Sequence, residues 1–168
     1  MQNSLCNKQR PNGREACGHK GSVETILGVI PARAGSKSIP DKSIATVGGR
    51  PLIAWTIEVA RSGGLLTRVV VTTDSPRIAE VAKQYGAEAP FLRPSELAQD
   101  ETPGIGPVIH AVRWFDEHEG FRPDYAIVLQ PTSPLRTAQD IEAAVGLPSR
   151  YRVGSPPGRP DSERPGEP

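Results

Sequence analysis

Short apolar runs alternate with amphipathic segments along the middle of the chain. Three runs rich in branched residues lack polar alternation, which predicts strands covered on both faces. They span residues 25–30, 68–73 and 125–130. Between and after them, apolar residues recur at intervals of three and four, which predicts helices. Strands alternating with helices favour an α/β fold with a mainly parallel sheet and helices on both faces.

The helix bounds follow from start and stop signals. The first helix is predicted over 51–62, before Gly63 and Gly64. The second begins after Asp74 or Ser75, either of which is a suitable N-cap. The third is predicted from the apolar stripe Ile105, Val108, Ile109, Val112 and Phe115. A short last helix is predicted by Thr137 with Asp140, which has the form of a capping box.

Composition limits the folded region to the middle of the chain. Apolar residues make up 36% of the 168 residues, below the usual fraction for a globular domain, and the shortfall lies at the two ends. We expect a disordered leader over 1–22, a folded portion over 23–145 and a disordered Pro, Gly and Arg-rich tail over 146–168. The tail is either a linker or an out-of-frame reading, and the interrupted last helix favours the second.

Charge and cysteine content argue against several classes of protein. Twenty basic and nineteen acidic residues provide no overall field for nucleic acid or a membrane. The leader has no apolar core run, so it predicts neither a signal peptide nor an anchor. Cys6, Cys17 and His19 lack the paired spacing of a metal site, and no metal ligands are predicted. The absence of another cysteine suits a reducing cytoplasm.

The segment from Ile30 to Lys42 reads IPARAGSKSIPDK, and it connects a predicted strand to a helical region. Its three cations, Arg33, Lys37 and Lys42, are separated by small and turn-forming residues, which favours a phosphate-binding loop. Neither the Walker spacing nor G-x-G-x-x-G is present. Because the carboxyl ends of parallel strands share one rim, residues 31–42, 72–75 and 130–136 are expected to converge there.

This loop closely resembles the opening signature of the acylneuraminate cytidylyltransferases, or CMP-sialic acid synthetases, which reads approximately I-P-A-R-x-G-S-K-x-I-P-x-K-N. Ser43 stands where the family has Asn. Later segments match further family motifs in the same order, and the resemblance covers roughly residues 26 to 145. These segments are GRPLIAWTI at 49–57, VTTDS at 71–75, LRPSELA at 92–98 and LQPTSPLR at 129–136.

The resemblance implies a Rossmann-like nucleotidyltransferase fold, incomplete at the C-terminus, and a defined reaction. A sugar hydroxyl of a nonulosonic acid attacks the α-phosphorus of CTP, and pyrophosphate leaves. Arg33, Lys37 and Lys42 are the implied catalytic residues. The implied substrate-binding residues are Ala32, Gly35, Ser36, Ser43, Arg93, Gly104, Gln130 and Arg136. Gly104 occupies a position where the family usually has Ser or Thr, Gln130 matches a sugar-binding residue, and Arg136 is positioned to meet the acceptor carboxylate.

The family also implies Mg²⁺, a homodimer and a cytoplasmic location. Its metal carboxylates lie in a D-x-D-type segment beyond the last matched motif, so their counterparts are missing from this chain, and Asp74 is a weaker substitute. We therefore expect the chain itself to be inactive. Two alternatives remain open: a CMP-Kdo synthetase, whose loop carries Arg instead of Lys37, and a non-catalytic remnant or binding subunit of the same fold.

Overall fold

A computed structural model describes residues 24–35, 39, 41–98 and 104–146 of the protein. The predicted leader, the tail from Leu147 onward, and the predicted site residues Ser36 and Lys37 lie outside the described residues. The described strands are β1 (Ile26–Pro31), β2 (Thr46–Val47), β3 (Arg50–Pro51), β4 (Arg68–Thr72) and β5 (Tyr125–Val128). The helices are α1 (Leu52–Ser62), α2 (Pro76–Gln84), α3 (Gly106–Glu119) and α4 (Ala138–Gly146).

The main sheet is parallel and has the order β4-β1-β5. In the register, Val29 of β1 lies opposite Val70 of β4 and Val128 of β5. An isolated parallel bridge between Val70 and Glu88 extends pairing on the outer side of β4. All three predicted strands are confirmed, and their carboxyl ends lie along one rim of the sheet.

Helices cover both faces of this sheet, as predicted. One face packs against α1, α2 and α4 through a cluster that includes Ile30, Ile57 and Ile141. The other face packs against α3, where Leu27 and Val29 join a second cluster. Alternate residues of β1 thus point into two separate cores, which explains why the strand has no polar positions.

The buried face of α3 differs from the predicted stripe. Its buried apolar residues are Val108, Ala111 and Phe115, spaced by three and four along one face. The predicted third helix is present, but Ile105 and Ile109 of its apolar stripe are 57% and 44% exposed and lie outside the buried face. Ala111 is fully buried and packs in the same cluster as Val108, Phe115 and the strand residues Leu27 and Val29.

A small hairpin of β2 and β3 precedes α1 and was not predicted. Its turn is Gly48-Gly49, and both glycines have positive φ values, of 61° and 85°. Two glycines between short extended segments are a recognised hairpin signal. The indole Nε1 of Trp55 donates a hydrogen bond to the Val47 carbonyl at 3.0 Å, which fixes the hairpin against α1.

No helix within the described part of the chain is both long and apolar enough to cross a lipid bilayer.

Candidate active site

A cavity of about 260 Å³ opens where β1 and β5 end. The loop that follows β1 forms one wall, and the segment that follows β5 forms another. The lining residues are Pro31, Arg33, Lys42, Ser43, Leu52, Arg93, Gln130, Pro131 and Thr132. The structure therefore brings together residues that are up to 101 positions apart in the sequence at the rim where parallel sheets bind ligands.

Five of the predicted site residues line this cavity: Arg33, Lys42, Ser43, Arg93 and Gln130. Three of them are cations, and the nine lining residues include no carboxylate. A group of cations in a concave surface attracts anions more strongly than the same charges do when they are scattered. The arrangement is suited to a phosphorylated ligand.

The remaining described site residues do not line the cavity. Ala32 is buried, and its N–H donates to the Thr72 carbonyl at 3.0 Å, so it ties β1 to β4 instead of facing a ligand. Gly35 and Gly104 are exposed, with open space where a Cβ would lie. Arg136 is half-buried, and one of its terminal nitrogens, Nη1, is buried without a hydrogen-bond partner among the described residues.

Lys42 and Ser43 belong to a short 3-10 helix, Lys42–Ile44, that closes the loop after β1. Asp41, immediately before it, has a φ of 49°, in the left-handed region that Asp tolerates better than most residues. The Ala45 carbonyl then accepts a hydrogen bond from the N–H of Leu52 at 2.9 Å, which attaches the end of the loop to α1. Lys42 and Ser43 are therefore held at the cavity by backbone contacts.

Arg93 is the most deeply buried polar residue of the cavity wall, with only 6% of its surface exposed. Its Nη2 donates to the Thr72 carbonyl at 3.1 Å, and its Nη1 donates to the Leu97 carbonyl at 3.3 Å. Its Nε has no hydrogen-bond partner among the described residues. Sequence reasoning assigned Arg93 to the nucleotide but did not predict that its guanidinium also bridges two segments of the backbone.

The charges around Arg93 oppose one another. Burial lowers the pKa of the Arg93 guanidinium, nearby Asp74 raises it, and Arg33 lowers it. An arginine nevertheless remains protonated in a protein. The pKa effect of Arg33 places a second positive charge close to Arg93. Asp74 offsets the repulsion between the two guanidinium groups, and a bound anion at the cavity would offset it further.

His110 lies behind this wall on α3, where its ring meets Phe91 edge-on with centroids 4.9 Å apart. Burial and the charge of Arg93 lower the pKa of His110, while Glu117 acts in the opposite direction. The aromatic contact gives His110 a packing role behind the cavity wall.

The described residues contain no group of three or more His, Cys, Asp or Glu side chains that could hold a metal ion. Asp74 follows β4, but its Oδ1 already accepts a hydrogen bond from the N–H of Ala34 at 3.0 Å. This set of donors does not by itself fit Mg²⁺, which requires several oxygen ligands in octahedral geometry.

Comparison with known proteins gives a consistent result. A model of the cytidylyltransferase family matches residues 27–146. The chain is 47% identical over 122 residues to CMP-N,N'-diacetyllegionaminic acid synthase of Legionella pneumophila, covering 73% of this chain and 52% of that protein. It is 39% identical over 122 residues to N-acylneuraminate cytidylyltransferase of Escherichia coli, covering 73% of this chain and 28% of that protein.

Among solved structures, a CMP:2-keto-3-deoxy-manno-octonic acid synthetase complexed with CTP superposes with a TM-score of 0.60 and 27% identity. The match covers 73% of this chain and 46% of that one. The chain thus spans about half the length, or less, of these relatives.

Proposed function

This chain belongs to the cytidylyltransferase family, and on that premise we propose that its cavity binds CTP as the nucleotide-binding part of an enzyme that makes a CMP-sugar. The observation that carries the proposal is the convergence of Arg33, Lys42 and Arg93 on one cavity whose described lining residues include no carboxylate. A triphosphate is the most highly charged part of CTP, and it would neutralise this group of cations.

The proposed reaction is a nucleotidyl transfer. The anomeric hydroxyl oxygen of the acceptor attacks the α-phosphorus of CTP, a new oxygen–phosphorus bond forms, and the bond to pyrophosphate breaks. The hydroxyl proton is lost, and pyrophosphate leaves with the bonding electrons. Arg33 and Lys42 would stabilise the charge that develops on the leaving pyrophosphate, Arg33 through its planar fork and Lys42 as a point charge.

For the acceptor, we infer a nonulosonic acid. The support comes from two relatives at 47% and 39% identity, a CMP-N,N'-diacetyllegionaminic acid synthase and an N-acylneuraminate cytidylyltransferase. Gln130 lines the cavity and is exposed, so its amide is available to a sugar hydroxyl. Arg136 is the proposed partner of the acceptor carboxylate. Its backbone N–H donates to the Ser133 carbonyl at 3.2 Å, in the turn that follows β5.

Magnesium remains part of the proposal for the complete enzyme, since nucleotidyl transfer ordinarily uses a divalent cation to screen the phosphate oxygens. Lys37 and Ser36 would add to the phosphate loop.

A homodimer is proposed from the family resemblance, and a cytoplasmic location is proposed because the reaction consumes CTP. The near-neutral net charge of +1 favours a small-molecule partner over nucleic acid.

Calorimetric titration of the full chain with CTP, ATP, GTP and UTP tests the proposal. We expect CTP to bind more tightly than the other three. Arg33→Ala should lose on the order of 1.5 to 3 kcal/mol of binding free energy by removing a charge-assisted contact. Lys8→Ala, in the predicted leader, is the matched control and should change nothing. Equal weak binding of all four nucleotides, or equal losses from both variants, would refute a specific CTP site.

A CMP-Kdo synthetase is the second candidate, favoured by the superposition on a Kdo-activating enzyme. Its acceptor is an eight-carbon sugar acid, so the distinction concerns the acceptor and leaves the CTP site unchanged. Pyrophosphate release by the complete enzyme should therefore be compared with sialic acid and with Kdo as acceptors. Faster release with Kdo would overturn the nonulosonic acid assignment alone.

A further inference from the structure

In the loop after β1, Asp41 pairs with Arg77, and the base of the loop is also fastened through Ala34. Its N–H donates to Oδ1 of Asp74 at 3.0 Å, and its carbonyl accepts a hydrogen bond from the N–H of Asp41 at 3.4 Å. The first contact ties the loop to the end of β4, and the second joins its two ends. Residues 33 and 42, which line the cavity, lie immediately outside this closure.

Asp74 is available for this contact because its neighbour caps the next helix. Ser75 accepts the N–H of Ile78 on its Oγ at 3.4 Å, so it is the N-cap of α2. The N–H of Ser75 in turn donates to Oγ1 of Thr73 at 3.1 Å. Asp74 is therefore held between a buried strand and a capped helix, and its carboxylate reaches across to the loop of β1.

A carboxylate beside an anion site is electrostatically unfavourable for ligand binding, because it repels the phosphates. Asp74 is close enough to Arg93 on the cavity wall to raise the pKa of that guanidinium. Its position is therefore not explained by direct attraction to a nucleotide. The hydrogen bond to Ala34 provides a different reason, because it orders the loop before the ligand arrives and lowers the entropy lost on binding.

We propose that Asp74 is a positioning residue for the nucleotide loop: its carboxylate holds the N–H of Ala34 and thereby sets Arg33 and Lys42 at the cavity. This inference rests on the proposed function, since it assigns a role in binding CTP. Asp74 acts through the loop and does not touch the nucleotide.

Two neutral substitutions separate the hydrogen bond from the charge. Asp74→Asn keeps an acceptor oxygen for Ala34, whereas Asp74→Ala removes it, and both remove the negative charge. We expect Asp74→Asn to bind CTP as tightly as the wild type or more tightly, because repulsion is lost and the anchor is kept. Asp74→Ala should bind roughly five-fold more weakly than Asp74→Asn, the effect of about one hydrogen bond.

An NMR measurement reports on the anchor without any nucleotide. The amide of Ala34 should exchange with solvent faster in Asp74→Ala than in Asp74→Asn, because only the Asn variant keeps an acceptor oxygen for this N–H. Asp124→Ala is the matched control, because Asp124 accepts the N–H of Thr25 at 2.8 Å at the opposite end of the sheet.

The outcomes distinguish this inference from the proposed function. Equal CTP affinity of the Asn and Ala variants, or equal exchange of the Ala34 amide in both, would overturn the positioning role. A loss of affinity in Asp74→Asn as large as that in Asp74→Ala would also overturn it, since it would assign the effect to the charge. Failure of the wild-type chain to bind CTP would instead refute the proposed function, and the amide exchange would still decide whether Asp74 anchors the loop.

Discussion

Replacing Arg93 by methionine tests whether this buried cation serves the nucleotide or the fold. The side chain is 6% exposed, and its two terminal nitrogens donate to the Thr72 and Leu97 carbonyls. Methionine has a similar length and no charge. The substitution therefore removes two hydrogen bonds and the cost of burying a cation, while leaving most of the packing volume in place.

The two effects on folding nearly cancel. Two hydrogen bonds from a charged donor stabilise the fold by roughly 3 to 6 kcal/mol. Removing a cation from water costs several kcal/mol, and that cost disappears in the variant. The Thr72 carbonyl is not left unpaired, because it also accepts the N–H of Ala32 at 3.0 Å. We expect the free energy of unfolding of Arg93→Met to change by less than about 2 kcal/mol.

The effect of Arg93→Met on CTP binding is not offset in this way, because the triphosphate loses its contact with a cation that the fold already holds in place. We expect CTP affinity to fall roughly ten-fold or more, the effect of one charge-assisted contact. Urea unfolding followed by circular dichroism measures the first quantity, and titration calorimetry measures the second. Arg122→Met is the control, since Arg122 pairs with Asp116 away from the cavity. An unfolding free energy lowered by more than about 4 kcal/mol, with normal CTP affinity in the folded fraction, would refute this reasoning.

Three further substitutions test the fold around the site. Phe115→Ala should lower the free energy of unfolding by about 3 to 5 kcal/mol, because the ring is fully buried against the sheet. A decrease below about 1 kcal/mol, measured by urea unfolding, would contradict that packing. Burial and the charge of Arg93 lower the pKa of His110, so the contribution of His110 to stability is complete above about pH 6.5 and is lost as the pH falls. His110→Leu should therefore flatten this part of the plot of unfolding free energy against pH. Parallel plots for the wild type and the variant would contradict the prediction. Gly86→Ala should lower the melting temperature by several degrees, because the φ of Gly86 is 86° and an added Cβ would lie 2.1 Å from Nη1 of Arg61. An unchanged melting temperature would show that the turn adopts another conformation without cost.

The sheet could be predicted from the sequence because both of its faces are buried. Under that condition the middle of a strand has no polar positions, and a short apolar run such as 69–71 is distinctive. A helix with several apolar residues is more ambiguous. Ile105 and Ile109 have the same hydrophobic character as Val108, and the side of α3 that faces the sheet depends on how closely the backbones approach, which hydrophobicity alone does not encode.

The cavity was predictable to the extent that it depends on strand order. Arg33 and Gln130 follow strands whose carboxyl ends share a rim, so their proximity follows from a parallel sheet. The burial of Arg93 was not predictable in this way. Its partners are backbone carbonyls, which every residue possesses, and no side-chain pattern marks the two that accept its guanidinium. The hydrogen bond of Asp74 could not be predicted from the sequence for the same reason, since its donor is the backbone N–H of Ala34.

Cations are arranged differently at the two ends of the sheet, although the chain has a net charge of only +1. At the amino end, Arg68 pairs with Glu88 and Glu119, so that cation is neutralised. At the carboxyl end, the described residues that line the cavity include three cations and no carboxylate, and the nearby Asp74 accepts a hydrogen bond from a backbone N–H. The attraction for an anion therefore arises from where the fold distributes its charges. Added salt should consequently weaken CTP binding by screening this one rim, even though a nearly neutral protein would otherwise show little dependence on ionic strength.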